Sequence, residues 1–181
     1  MNRSALLVIA YLGCLKAGLA YMPLEKGSPH DRLHAMVASS GCRLVLSSGT
    51  CPLLDTIHCV DLSCNQDIFT KTAKQTLPNV NEGQLCNLMF TSGSTGVPKG
   101  VMIEHRGMVN LCDPGTSNWP DRLRSGFTTR IGFDPSGYQI FAPLLNGSEL
   151  HILPDMEVFD PEAFRRFIVD HGAYFVYNVA T

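Results

Sequence analysis

The sequence predicts an α/β fold in which a mostly parallel sheet is layered with helices on both faces. Three observations carry that prediction. Apolar stretches of strand length alternate with stretches of helix length along most of the 181 residues. Several helix-length stretches carry start or stop signals, as in "DPEAFRRFIVDHG" at 160–172, with Asp160 as cap and Pro161 at the first position. The composition, 45% hydrophobic and 17% charged, supports a sizeable core and excludes a disordered chain.

The elements follow in order. "MNRSALLVIAYLGCLKAGLA" has an early Arg, an apolar run and small residues, as a secretory signal has, and Cys14 after Leu12-Gly13 resembles a lipoprotein site. Lys16 directly after the run opposes that reading. A core helix capped by Ser4 and ended by Gly18 is the expectation. "LAYMPL" is short and extended, with Pro23 suited to a strand end. "SPHDRLHAMVASSG" is expected to be a helix with Ser28 as N-cap, Pro29 at its first position and Gly41 at its close. Residues 43–48 and 56–63 read as buried strands, and the polar residues 64–84 as a long surface connection. Strands are expected at 86–92 and in "VMIEH", a helix start at "RGMVNLC", and a strand over 126–132. "DPSGYQIFAPLLNG" (134–147) reads as a helix, "SELHILP" as a strand and "AYFVYNVA" as a last strand. In 160–172, Phe164, Phe167 and Ile168 share one face.

Fourteen basic and 16 acidic side chains leave a net charge of −2 with no charged block. That excludes a nucleic-acid footprint, and the apolar runs are too short for a membrane span. The seven cysteines are odd in number and contain no CxxC pair. Zinc is not expected; reduced thiols in a cytoplasmic protein are.

The chemistry concentrates in "LMFTSGSTGVPKG", residues 88–100. A strand runs into this loop and another leaves it, which a linker would not need. Gly93, Gly96 and Gly100 permit positive φ and uncover backbone amides. Thr91, Ser92, Ser94 and Thr95 add hydroxyl donors, and Lys99 a mobile cation behind the stiffening Pro98. Charge-assisted hydrogen bonds to phosphate oxygens are about twice as strong as neutral ones, so the donor density favours phosphate; a structural Gly/Ser turn is the alternative. It is not the common P-loop, because Lys99 is followed by Gly100 and a strand, not by Ser or Thr and a helix.

"LMFTSGSTGVPKGVMIEHRG" resembles the signature loop of the adenylate-forming superfamily: acyl-CoA ligases, luciferases and the adenylation domains of nonribosomal peptide synthetases. Residues 88–99 match it without a break. "YLGCLKAGLAYMPLEKGSPHDRL" (11–33) is similar to the "LKAGxAYxPLD" segment of the peptide-synthetase branch, with Glu25-Lys26 replacing the usual Asp-Pro. "GFDPSGYQIFAPLLNGSEL" (132–150) is similar to that branch's "FDxSxxxxFxxLLxGxxL".

The resemblance implies a large N-terminal α/β part and a small mobile C-terminal part. It also implies a two-step reaction, Mg-ATP activating an amino acid and a phosphopantetheine thiol on a carrier domain accepting the acyl group. Thr91, Ser92, Gly93, Ser94, Thr95, Gly96 and Lys99 would bind the phosphates. Asp134 would pair with the substrate ammonium, although it is also placed to cap the helix that starts at Pro135. Pro135, Tyr138 and Tyr177 would line the side-chain pocket, with a buried strand aromatic as the other reading of Tyr177. His105 and Arg106 are read as helix-start and packing residues. Partners implied are carrier and condensation domains of a larger synthetase.

The family's "YGPTE"-type adenine motif, ribose-binding Asp and C-terminal Lys are not found before Thr181. Residues 1–181 are therefore expected to be part of an adenylation domain, without a catalytic residue and inactive alone. An acyl- or aryl-CoA ligase is the enzymatic alternative, and a non-catalytic remnant that at most binds nucleotide is the alternative of another class.

Overall fold

The computed structural model describes residues 1–51, 53, 56–64, 76–91, 98–117 and 124–172. Helix α1, Ala5–Lys16, starts where Ser4 turns extended and its hydroxyl accepts from the Leu7 amide at 3.2 Å. It ends in a Schellman arrangement around Gly18 (φ 72°), with the Leu19 amide on the Cys14 carbonyl and the Gly18 amide on that of Leu15. Leu7 and Tyr11, four apart and hence on one face, both point into the core. Beyond it Tyr21 bridges in parallel to Asn87, its amide on the Cys86 carbonyl and its own carbonyl accepting from Leu88.

Helix α2, His30–Ser40, closes at Gly41 (φ 67°) as expected, but Ser28 does not cap it. Pro29 holds the cap position with ψ 138°, so the helix begins one residue later and Ser28 lies outside it. Strands β1 (Leu44–Ser47) and β2 (His58–Asp61) pair in parallel, Leu44 opposite His58 and Ser47 opposite Asp61. They are less buried than their apolar sequences predict. Val45 and Cys59 pack on the Leu33, Val37, Cys51 and Leu53 cluster, while Leu44 stays exposed.

Strand β3 (Leu85–Thr91) pairs antiparallel with β4 (Lys99–Glu104), and the chain passes directly into α3 (His105–Cys112) and a short turn α4 (Pro114–Ser117). Strand β5 spans Arg124–Phe127, α5 Pro135–Leu145 and β6 Glu149–Ile152, a β–α–β unit whose strands run parallel. The strand expected over 126–132 thus ends at Phe127. The Thr128 and Thr129 amides turn to the Gln139 side-chain oxygen, both at 3.0 Å, instead of continuing a ladder.

Helix α6, Pro161–His171, matches its sequence signals throughout. Asp160 accepts from the amides of Glu162 and Ala163, and Gly172 closes it at φ 54°. The expected strand in 173–181 and most of the connection 64–84 lie outside the described residues.

The fold is α/β, as predicted. Among the described residues the strands pair in twos, two pairs parallel and β3–β4 antiparallel. The main core gathers α1, α3, α5 and β5 around Tyr11, Tyr21, Phe127 and Ile140. Phe127 and Ile140 are fully enclosed, and burial of each stabilises the fold by about 1.5–3 kcal/mol. The Tyr11 and Tyr21 rings stack at 4.0 Å, and the Asn87 amide donates to the Tyr21 hydroxyl at 2.9 Å. Buried Arg3 pairs with Asp155 at 2.7 Å, donates to the Thr128 carbonyl and lies over the Phe127 ring. All seven cysteines are free thiols. No helix among the described residues is long and apolar enough to cross a membrane.

Candidate functional site

The β3–β4 hairpin holds the ends of the glycine- and hydroxyl-rich loop. Thr91, the last residue of β3, lies opposite Lys99, the first of β4, and the Thr91 hydroxyl donates to the Lys99 carbonyl at 3.4 Å. Directly opposed residues in an antiparallel pair project to the same side, so the hydroxyl and the ammonium leave the hairpin together. Both are exposed. Ser92, Gly93, Ser94, Thr95 and Gly96 lie outside the described residues.

Gly100 plays a different part from the one its type predicts. It is an extended strand residue opposite Phe90, and a Cβ there would come within 3.1 Å of the Leu88 side chain. It is needed for close approach, not for positive φ. The base of the hairpin is tied as well: the His105 amide donates to the Gln84 carbonyl at 2.9 Å and the Arg106 amide to that of Glu82 at 2.8 Å. The exposed Arg106 guanidinium meets Glu104 at 2.5 Å. His105 and Arg106 thus sit at the start of α3, as the sequence predicts.

The second group stands at the start of α5. Asp134, Pro135 and Tyr138 fall within its first turn, and residues 134 and 138, four apart, share a face. Asp134 is exposed, whereas Tyr138 is half-buried against the main core. The expected capping by Asp134 is not made. Its backbone is already helical (φ −51°, ψ −38°), and its side chain forms no cap hydrogen bond. The amides a cap would take are already served, that of Ser136 by the Phe133 carbonyl at 2.9 Å and that of Gly137 by the Asp134 carbonyl at 3.1 Å, which leaves the carboxylate facing solvent. Tyr177 lies outside the described residues.

The segment 128–134 that leads to Asp134 is held by side chains to which sequence reasoning assigned no role. Gln139, fully buried, takes the Thr128 and Thr129 amides on its oxygen and donates to the Thr128 hydroxyl at 3.3 Å. The Ser136 hydroxyl donates to the Ile131 carbonyl at 3.1 Å. From the far side, Glu25 accepts from the Gly132 amide at 3.3 Å. A cavity of about 40 Å³ between Glu25, Phe90 and Gly132 marks where the hairpin, the stretch after α1 and the segment before α5 converge. Glu25 had a sequence signal, since it departs from the Asp-Pro pattern, but nothing in the sequence says what it touches.

Comparisons with known proteins agree with this architecture. A family model described as "AMP-binding enzyme" matches residues 1–181. Cyclosporin synthetase simA of Tolypocladium inflatum is 35% identical over 174 residues, which cover 93% of this chain and 1% of that protein. Gramicidin S synthase 2 of Brevibacillus brevis is 36% identical over 178 residues, 93% of this chain and 4% of that one. Among solved structures, the N-terminal subdomain of Klebsiella oxytoca NpsA in complex with 3-hydroxyanthranilyl-AMSN superposes with a TM-score of 0.76 at 26% identity, covering 92% of this chain and 42% of that chain. The artificially fused adenylation–PCP di-domain NpsA-ThdA superposes with a TM-score of 0.83 at 26% identity, covering 95% of this chain and 35% of that one.

Proposed function

The chain belongs to the AMP-binding enzyme family, and from that premise we propose that it is part of an ATP-dependent adenylation domain of a nonribosomal peptide synthetase. In the proposed first step a carboxylate oxygen of an amino acid bonds to the α-phosphorus of ATP. The bond to the bridging oxygen breaks and pyrophosphate leaves. In the second, a phosphopantetheine thiolate on a carrier domain attacks the acyl carbon and AMP departs. The similarity to peptide synthetases and to an adenylation–PCP di-domain supports the carrier as partner. A condensation domain completes the proposed assembly.

The observation that carries this reading is the clamped hairpin. Thr91 and Lys99 stand opposite each other at the loop's root and present a hydroxyl and an ammonium on one side. The β and γ phosphates are the groups that such donors suit, and the leaving pyrophosphate gains negative charge as the reaction proceeds. The helix-dipole help of a P-loop is not available from β4, so hydroxyls, amides and Lys99 carry the load. Mg²⁺ suits the oxygen donors of ATP and of the loop hydroxyls; it would be held mainly by the triphosphate and water. Asp134 offers its carboxylate to the substrate ammonium, with Pro135 and Tyr138 as one wall of the side-chain pocket and Tyr177 as a further wall residue.

The test is ATP–pyrophosphate exchange in the full-length protein with a panel of amino and aryl acids. Lys99→Ala is expected to lower exchange by about tenfold or more, since it removes a charge-assisted hydrogen bond to phosphate. Exchange at the wild-type rate would overturn the phosphate role.

A further inference from the structure

We propose that Glu25 is a positioning residue for the amino-acid substrate: by holding the Gly132 amide it sets the direction in which Asp134 presents its carboxylate. The inference rests on the reading of Asp134 given above and adds a residue from a separate part of the chain.

The contact is built from both sides. Glu25 follows the extended stretch that Tyr21 fastens to β3 through two backbone hydrogen bonds, so its backbone is anchored to the same strand that ends at Thr91. Its carboxylate oxygen then reaches Gly132, two residues before Asp134, at 3.3 Å. Gly132 lets the carboxylate approach closely. A Cβ at that position would lie 3.2 Å from the Glu25 carboxyl carbon and from its oxygen.

The rest of the segment is fastened elsewhere. Gln139 and Ser136 hold residues 128, 129 and 131 from the α5 side. Both belong to the helix itself, so they fix the segment relative to α5 alone. Among the described residues, Arg3 reaches the start of the segment at the Thr128 carbonyl, and Glu25 ties Gly132, near Asp134, to the stretch that is fastened to the hairpin. A carboxylate misdirected by even an ångström loses much of its pairing with a bound cation, and that is the consequence expected when the contact is lost.

A merely structural role would weaken binding of every ligand equally, whereas a positioning role acts on the amine. The experiment uses matched pairs of non-hydrolysable acyl-sulfamoyl adenosines, one carrying the α-amine and one lacking it, titrated by calorimetry against the full-length protein. Wild type first defines the preferred side chain and the ratio of the two dissociation constants. Glu25→Ala is expected to reduce that preference for the amine by about tenfold, with affinity for the amine-free analogue unchanged. Glu25→Gln keeps an acceptor oxygen and is expected to keep the wild-type ratio. Gly132→Ala displaces the carboxylate from the opposite side and is expected to behave as Glu25→Ala does, so the proposal does not depend on one variant folding.

Three results overturn it: an unchanged ratio in both alanine variants, an equal loss for both analogues, or a Glu25→Gln variant as impaired as Glu25→Ala. A wild-type protein that binds both analogues equally points instead to failure of the Asp134 reading, and takes this inference with it.

Discussion

Asp134 illustrates how much of a candidate site residue's proposed role depends on its surroundings. Free of capping duty, its carboxylate stands at the head of α5 one turn from the half-buried Tyr138. Replacing it by Ala should leave the helix start intact, because Pro135 and the Ser136 hydroxyl bond to Ile131 remain. Activation of amino acids should fall about tenfold or more relative to that of their deaminated analogues in a pyrophosphate-exchange assay. Equal loss for both would mean that Asp134 serves the fold. The same scale shows what a sequence makes legible. Ser4 and Asp160 were readable as caps because their partners lie within three residues. Ser28 was misread because the backbone conformation of Pro29, invisible in composition, moves the helix start by one. Glu25 was beyond reach: its partner lies 107 positions away, and no local rule encodes such a contact.

Helix α6 is the element whose boundaries the sequence defines best, and its stability can be tested accordingly. The Asp160 carboxylate takes two amides that water would otherwise have to serve, at 2.9 and 3.3 Å. Asp160→Ala is expected to destabilise the protein by about 1 kcal/mol, read as a lowered Tm, while Asp160→Asn keeps most of the stability. The helices and the hairpin strands were legible for a shared reason: each is bounded by its own caps, turns or periodicity. Strand β5 was not. Its end is decided by the side chain of Gln139, which captures the amides of residues 128 and 129. The burial of β1 and β2 was overestimated for a related reason, since apolar content does not say whether a second layer covers the outer face. Of the candidate site, the root of the loop and the α5 group stand out in the sequence as motifs; their connection through the stretch after α1 does not.

For the molecule as a whole, the alkaline side of the stability curve follows from two core thiols. Cys86 and Cys112 are almost wholly enclosed, and burial pushes each thiol up to about 11. In the unfolded chain they ionise near 9.0. Because the folded values are raised, the stabilisation is fully present below pH 9 and is lost as pH climbs toward 11. Burial raises Tyr11 and Tyr21 as well, which steepens the loss at still higher pH. Melting profiles should therefore decline above pH 9, and the Cys86→Ala, Cys112→Ala double variant should show a shallower decline. A profile that is flat to pH 11 would contradict this assignment. The α/β class itself was legible because it is the sum of many local patterns; which strands pair was not, since pairing joins segments that share no neighbourhood in sequence. Arg3 and Asp155 make the point in time as well as space. They are 152 positions apart, so on a ribosome adding ~5–20 residues per second the first helix waits roughly 8–30 s for its anchor to emerge. For most of that interval the face of α1 that carries Leu7 and Tyr11 lacks the layer that covers it once the chain has folded.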